Sequence, residues 1–409
     1  MVSVAVVGCG TAGAAAALLL ARAGADVDVF ERVAEPGPVG AGIIVQPTGQ
    51  AVLARLGLLD PIAARGAPLD RLFLRTSGGR TLADLHYAEI DPAWRGLGVH
   101  RGVLFAALHG AVAREPRVAL HTGVEIRSLR EDGARVWLGD RGPYDLAIVA
   151  DGSLSRLRDD HAGRDAAYPW GALWFVAADP DRRFRLELYQ VATGARRLYG
   201  ILPTGLGPHG DTPVASLFWS LPARDVAAWR AGDLGAWKAE VLAHDPRAAP
   251  VLDQIRSHDQ VTFARYRDVA MRAWHAGRTI FIGDAAHATS PQLGQGANLA
   301  LYDALVLAES LAAAHALGDP ARIPGALAAY SRARRRHLRH YQRMTRWLTP
   351  LFQSDSRALG AARDLVFPLA NAFGPLRREM VRTMCGVSRG FVRAPLALPR
   401  ATGPADQSD

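Results

Sequence analysis

Three short stretches of this chain collect residue types able to hold a phosphorylated, polyhydroxylated ligand. The first, Gly8-Cys9-Gly10-Thr11-Ala12-Gly13, has the spacing G-x-G-x-x-G. Gly8 permits a tight turn, Gly10 lets the backbone approach a pyrophosphate, and Gly13 lets a helix pack closely on its strand. Glu31 follows as an acid able to accept both hydroxyls of an adenosine ribose. The second stretch is Asp151-Gly152, with Ser153, Ser155 and Arg156 behind it. The third, "GDAAHATSPQLGQGANLA" from Gly283 to Ala300, carries Asp284, His287 and Pro291, then Gly294, Gly296, Ala297 and Asn298. His287 could carry a proton beside a reacting group, although a histidine in such a loop is more often a hydrogen-bonding organiser.

Each stretch sits where a strand ends. Val4 to Val7 reads as a buried strand, Ala14 to Ala23 as a helix ended by Gly24, and Val27 to Phe30 as the next strand, which makes a βαβ unit. Leu146 to Ala150 is a strand running into Asp151, and Thr279 to Ile282 is one running into Gly283, with a helix expected from about Asn298. The βαβ unit alone leaves NAD and FAD open. A nicotinamide domain completes its site within one contiguous fold, whereas here a site-forming segment begins only at Gly283. FAD offers what that segment could hold: a ribityl chain for a strand-end carboxylate, and a ring that becomes anionic when reduced, facing a helix start.

Composition excludes several other classes. The chain has 409 residues, 49% of them hydrophobic, enough for a sizeable core. No basic segment precedes an apolar run at the N-terminus, so Ala14 to Ala21 reads as a buried helix and not a signal peptide. The longest apolar run, Ala297 to Leu317, is broken by Asp303 and Glu309, which argues against a membrane span. Cys9 and Cys385 are the only cysteines, too few for a disulfide framework or a metal cluster, and cytoplasmic residence is the expectation. Cys9, between two glycines, reads as a small inert side chain ahead of a reactive thiol. Net charge is +9, almost all of it arginine. In "SRARRRHLRHYQRMTR" Arg332, Arg336, Arg339, Arg343 and Arg346 share one side of a helix opposite Tyr330, Tyr341, Met344 and Leu348; no aromatics interleave with the arginines, so a solvated face is favoured over nucleic-acid binding.

Together the three motifs, in this order, resemble the single-component FAD-dependent aromatic hydroxylases typified by para-hydroxybenzoate and salicylate hydroxylase; lesser matches are "GAGIIVQPTGQAVLARLGLLD" and "HRGVLF". The resemblance covers most of residues 1–350. It implies an α/β fold in which a Rossmann-like FAD-binding domain (1–70, 98–165 and 270–345) is interleaved with an antiparallel-sheet substrate domain (71–97 and 166–269). A C-terminal helical segment (346–400) and a disordered tail (401–409) would follow. The cofactor contacts it implies are Gly8, Gly10, Thr11, Ala12 and Gly13 at the pyrophosphate, Glu31 and Arg32 at the adenosine end, and Arg101 on the pyrophosphate side. Val124 would meet the adenine through its backbone. Asp151 and Arg156 would bridge FAD and the reductant's approach, the alternative being a salt-bridged turn. Asp284 would hold the ribityl or pyrophosphate region, with Gly294, Gly296, Ala297 and Asn298 beside the ring and Pro291, grouped with His287 as a catalytic residue, next to them.

The family chemistry implied is reduction of non-covalent FAD by NADH or NADPH bound transiently, addition of O₂ at the flavin C4a, and hydroxylation of an aromatic or other electron-rich small molecule by the hydroperoxide. Baeyer–Villiger oxidation or epoxidation uses the same scaffold. A flavin halogenase needs a lysine between flavin and substrate, and the one lysine, Lys238, lies outside every motif. A binding-only relative would have lost the flavin motifs. Trp174, Tyr199 and Trp219 could line the substrate pocket, with core packing the commoner role for aromatics on strands. The segment after Trp347 reads as helices broken at Pro350, Pro368 and Pro375, with Leu359, Ala362, Val366 and Leu369 near one face. That face could pack over the FAD domain, meet a second subunit, or touch a membrane that gathers lipophilic substrate.

Overall fold

A computed structural model describes residues 1–37, 40–158, 161–390 and 395–398; the 401–409 tail lies outside the described residues. Two large sheets organise the molecule. The first has six strands in the order His275–Ala276, Thr279–Phe281, Leu146–Val149, Ser3–Val7, Asp26–Glu31 and Val118–Thr122. All pairings are parallel except that of the short His275–Ala276 edge. Its central strands read as continuous apolar runs because helices cover both faces. The Thr11–Arg22 helix follows the first strand, and nine of its twelve residues are buried. It packs against the Gly296–Ala313 helix, whose side chains are almost as small and apolar.

The second sheet has nine strands and is largely antiparallel. Thr262–Met271, Ala162–Ala178, Pro213–Pro222, Arg197–Leu206 and Leu186–Thr193 form a meander-like run. It continues through Ala67–Thr76, paired in parallel with Leu186–Thr193, to Gly96–His100 and Gly42–Val45. Thr81–His86 pairs with Ala67–Thr76 on the side. The strands 42–45, 67–70 and 98–100, expected within the FAD unit, therefore hydrogen-bond into this second sheet.

Strand alternation gives the sheet two apolar faces. On the outer face Leu173, Tyr189, Tyr199, Leu217 and Trp219 pack with Trp237, Val241 and Val251 of the short helices between 226 and 252. On the inner face Leu74, Leu188, Leu198 and Leu202 pack with Ile44 and with Phe352, Val381 and Met384 from the C-terminal helices. Those helices are Ile323–Phe352, Arg357–Ala372 and Gly374–Met384. Pro350 and Pro368 lie inside helices and do not break them; only Pro375 marks a new start. Pro350 falls in the last turn, where only one or two further hydrogen bonds depend on it, and Ser354 Oγ donates to its carbonyl at 2.6 Å.

Candidate active site

The three motifs meet in one crevice at the C-terminal edge of the parallel sheet, where open α/β sheets bind their ligands. Gly8 has φ +96°, and a β-carbon there would fall 2.6 Å from Ala150 O and 2.9 Å from the Asp151 Cα. The first motif thus lies directly on the second. A β-carbon on Gly13 would stand 2.0 Å from Gly8 O, so the helix packs on its own turn only because residue 13 is glycine. Gly283, at φ +59°, faces Ala12 and Ala300, where a β-carbon would meet their Cβ atoms at 2.8 and 3.5 Å. That contact brings the third motif against the first. Gly10, by contrast, opens onto empty space.

Polar groups left free in this crevice define what it could hold. The Thr11–Arg22 and Gly296–Ala313 helices both begin without a side-chain cap, so their first N–H groups present partial positive charge. Asp284 is exposed at the end of a buried run and makes no hydrogen bond or ion pair among the described residues. It lies beside the helix start, 4.0 Å from where a β-carbon on Gly296 would sit. Asp151 keeps a buried Oδ1 with no partner, and burial raises its carboxyl above the usual range. Glu31 ends its strand with Oε2 accepting from Cys9 N (2.9 Å) and Oε1 from Val33 N (3.0 Å), and Val124 N donates to Glu31 O at 2.9 Å. The carboxylate and the Val124 backbone therefore lie together at one end of the crevice. Arg32 and Arg101 are exposed, and the Arg101 stem lies 3.1 Å from where a β-carbon on Gly40 would fall. Burial, then Glu31, pushes the Cys9 thiol up to about 12, which makes it inert.

Four of the ligand-facing roles open to these residues look different in the fold. His287 is not poised beside a ligand: its Nε2 meets Asp303 Oδ2 at 2.5 Å, and its ring is buried. Asn298 is likewise spent on the protein, accepting from Gln46 N (2.8 Å) and donating to Ile44 O and Gly294 O (both 3.0 Å), so only its backbone can face a ligand. Arg156 is exposed, whereas Arg158, two residues on, is fully buried. Arg158 reaches Gly152 O (3.3 Å), Ser153 O (2.5 Å) and Ala285 O (3.4 Å), stitching the second motif to the third, and it pairs with Asp165. Tyr199 and Trp219 sit opposite one another in register on the outer face, away from the crevice. Trp174 alone of the three points inward, its ring 5.2 Å from Phe218. Pro291 starts a short turn and is exposed, and Gly294 adopts φ +61°.

Sequence reading missed Arg158, Phe218 and the pair beneath the loop, Asp303 and Arg334. Asp303 is completely buried, accepts from Gly283 N (2.9 Å) and from Arg334 Nε (2.7 Å), and its carboxyl is held far below the usual range by His287 and Arg334 despite burial. Lys238, the one lysine, donates to Ile255 O at 2.6 Å in the outer helical layer. It does not reach the crevice.

The FAD binding domain family matches residues 1–345 of the chain. The chain belongs to this family. It is 31% identical over 329 residues to the FAD-dependent urate hydroxylase of Klebsiella pneumoniae, covering 74% of this chain and 79% of that one. It is 32% identical over 367 residues to the kynurenine 3-monooxygenase of Salinispora arenicola, covering 82% and 76%. Among solved structures, HpxO of K. pneumoniae complexed with FAD superposes with a TM-score of 0.77 at 23% identity, over 94% of this chain and 99% of that one. PqsL, a probable FAD-dependent monooxygenase of Pseudomonas aeruginosa, gives 0.76 at 23%, over 88% and 99%. The protein is an FAD-dependent monooxygenase, in a family whose usual reductant is NADH or NADPH.

The crevice fits FAD on its own terms. Open space at Gly10, two uncapped helix starts, an unpaired Asp284 and the orphaned Asp151 oxygen are what a long, anionic, hydroxyl-rich ligand would satisfy.

Proposed function

We propose that this monooxygenase hydroxylates an aromatic or similarly electron-rich small molecule held between the flavin crevice and the inner face of the nine-stranded sheet. The observation carrying this reading is the inward-facing Trp174–Phe218 pair on a sheet bonded directly to the flavin loop, Val269 N donating to Ala288 O at 2.9 Å. Aromatic walls suit a planar substrate. Bound FAD would supply electron transfer from the nicotinamide and activation of O₂.

The chain's own residues position and shield. Glu31, with Arg32 and the Val124 backbone nearby, would hold the adenosine; Gly8 to Gly13 and Arg101 would hold the pyrophosphate. Asp284 would fix the polyol chain and hence the ring. The N–H groups of Gly296, Ala297 and Asn298 would stabilise negative charge that develops nearby. Pro291 and Gly294 keep the loop compact against the ring. Asp151, its pKa raised by burial, stands ready to take a hydrogen bond from the cofactor or the reductant.

The same proposal divides the chain into an FAD unit around the parallel sheet and a substrate unit around the nine-stranded one, and places the protein in the cytoplasm. Among the described residues no helix is long and apolar enough to cross a membrane. Phenols, quinolines and polyketide-like aromatics, tested for stimulation of NADH and NADPH oxidation with product identification, decide the matter. Ring hydroxylation is expected. A product with oxygen inserted into a carbon–carbon bond would replace hydroxylation by Baeyer–Villiger chemistry, and stimulation without any oxygenated product across the panel would overturn the reading.

A further inference from the structure

The Arg357–Ala372 helix has two unlike faces. Its inner face is closely fitted: a β-carbon on Gly360 would fall 2.8 Å from Ala195 N, and the buried Arg363 donates to Gly194 O (2.9 Å) and Leu351 O (3.0 Å) while lying 5.0 Å from the Phe352 ring centre. The helix rests on the Thr81–His86 strand and its helical neighbours, not over the FAD unit. Its outer face shows Leu365 (61% exposed), Val366 (53%) and Leu369 (64%), with Phe373 (62%) at its end. Trp347, on the preceding helix, is 69% exposed. These are five of the nine large hydrophobic side chains exposed among the described residues. Scattered singly they would mean little, but a row on one helix face marks an interaction surface.

Charge identifies what covers it. Residues 323–384 contain twelve arginines and three acids, and of the arginines Arg334, Arg346 and Arg377 pair with Asp303, Asp268 and Glu89 elsewhere in the chain, which still leaves a basic excess. Each acid is already paired: Asp355 with Arg224 (2.7 Å), Asp364 with Arg363 (2.6 Å) and Glu379 with Arg382 (3.5 Å). Arg332, Arg335, Arg336, Arg339 and Arg343 are exposed on the helix that carries Trp347, with no hydrogen bond or ion pair among the described residues. A two-fold dimer through this region would set its surplus of like charge against itself. An anionic bilayer satisfies both features: arginines at the headgroup level, and leucine, phenylalanine and tryptophan entering the boundary with the acyl chains.

We propose that the outer face of the C-terminal helices docks the enzyme on an anionic phospholipid surface. The test is sedimentation of the full-length, FAD-loaded protein with vesicles of phosphatidylcholine, with and without about one third phosphatidylserine. Binding should require the anionic lipid and fall at least about tenfold in roughly 0.5 M salt. The double substitution Leu369→Glu with Phe373→Glu should lower it by about tenfold or more, since it puts charge where the apolar row enters. Replacing Arg336, Arg339 and Arg343 together by Gln should weaken it and flatten its salt dependence. All these side chains are exposed, so FAD content and basal NAD(P)H oxidation should stay unchanged and report correct folding. Equal binding to neutral vesicles, no binding to either, or binding indifferent to both sets of substitutions would overturn the proposal. So would a wild-type dimer that ignores vesicles and is split by the glutamate pair, which would assign the face to a second copy of the chain.

Discussion

Asp284 and Asp303 flank one loop and the first turns of one helix, and their carboxylates meet opposite surroundings. Asp303 is buried, with both oxygens engaged by Gly283 N, His287 and Arg334. Asp284 is exposed with no partner among the described residues. A buried charge is tolerated only when paired, so the saturated acid shows what builds the loop. An acid held unpaired at the mouth of a crevice shows what the loop is built to present. The same division separates Asn298, fully used on backbone groups, from Asp151, which keeps an orphaned oxygen.

The largest effect should come from breaking the saturated side. Asp303→Asn leaves Arg334 buried without its counter-charge, a loss of about 3–5 kcal/mol for a buried pair. Denaturant unfolding of the FAD-loaded variant would measure it. The acid side carries a second signature. Because the folded-state pKa of Asp303 is depressed, its contribution is present above the ordinary carboxylate pKa near 4 and lost as pH falls below it. The variant should lose that part of the acid-induced decline. A loss below about 1 kcal/mol would mean that water, not Arg334, satisfies Asp303.

On the unsaturated side, Asp284→Ala should leave stability within about 0.5 kcal/mol, as exposed substitutions do. Its cost should appear in function. A cofactor ring displaced by near 1 Å could lose on the order of 10²-fold in a step that depends on alignment. Oxygen transfer needs a shielded site more than flavin reduction does, so reductant should still be consumed while peroxide rises and product falls. Peroxide and product measured together at saturating FAD would show it. Unchanged coupling with lowered stability would make Asp284 a turn-capping residue only.

Glu31 lies between these extremes, since it braces Cys9 and Val33 and is also placed for a ribose. Glu31→Ala should weaken FAD binding by about 1–3 kcal/mol, the range for hydrogen bonds to a charged group. Saturating FAD should restore turnover, because the contact is made equally in ground and transition states. Failure to recover in a folded variant would show that the carboxylate shapes the glycine turn more than it binds.

What sequence could reveal follows the same line. The glycine turns, strand ends and helix starts were legible because they are set by local backbone demands: Gly8 must adopt positive φ, and Gly13 must have no side chain. Saturation by distant partners was not. In "SRLR", Arg156 and Arg158 are chemically alike, and only the folded positions of Asp165 and Ala285 decide which turns inward. The partner of His287 is a helix residue whose side-chain direction depends on how that helix packs. Sequence grouped Trp174, Tyr199 and Trp219 together; only the folded sheet puts Tyr199 and Trp219 on one side and Trp174 on the other, and only the covering layers decide which side meets the flavin unit. The prolines misled because tertiary packing overrides their cost: Pro350 lies in a last turn, where that cost is small, and Pro368 lies within its helix.

The smallest expected effect tests how far the saturated network extends. Beyond Asp303 it runs through Arg334 to His337, whose Nδ1 accepts from Arg334 Nη1 (2.5 Å) and whose Nε2 donates to Gly386 O (2.7 Å). Both contacts suit the neutral imidazole, and burial with the adjacent Arg334 holds its pKa well below the ordinary value. In the unfolded chain the ring takes up a proton near pH 6.5, while in the folded one it stays neutral. The unfolded state therefore binds more protons below that pH, and stability must fall as pH drops from about 7 toward 5.5. Burial lowers His100, His275 and His340 in the same direction, so they add to the slope. His337→Gln keeps an acceptor for Arg334 and a donor for Gly386 but removes one titration. It should flatten the dependence by roughly 1 kcal/mol per pH unit below pH 6 while leaving stability near pH 8 little changed. Unfolding midpoints at three pH values between these limits would resolve it. A slope equal to wild type would mean that His337 titrates normally in the folded state, and that the paired network ends at Arg334.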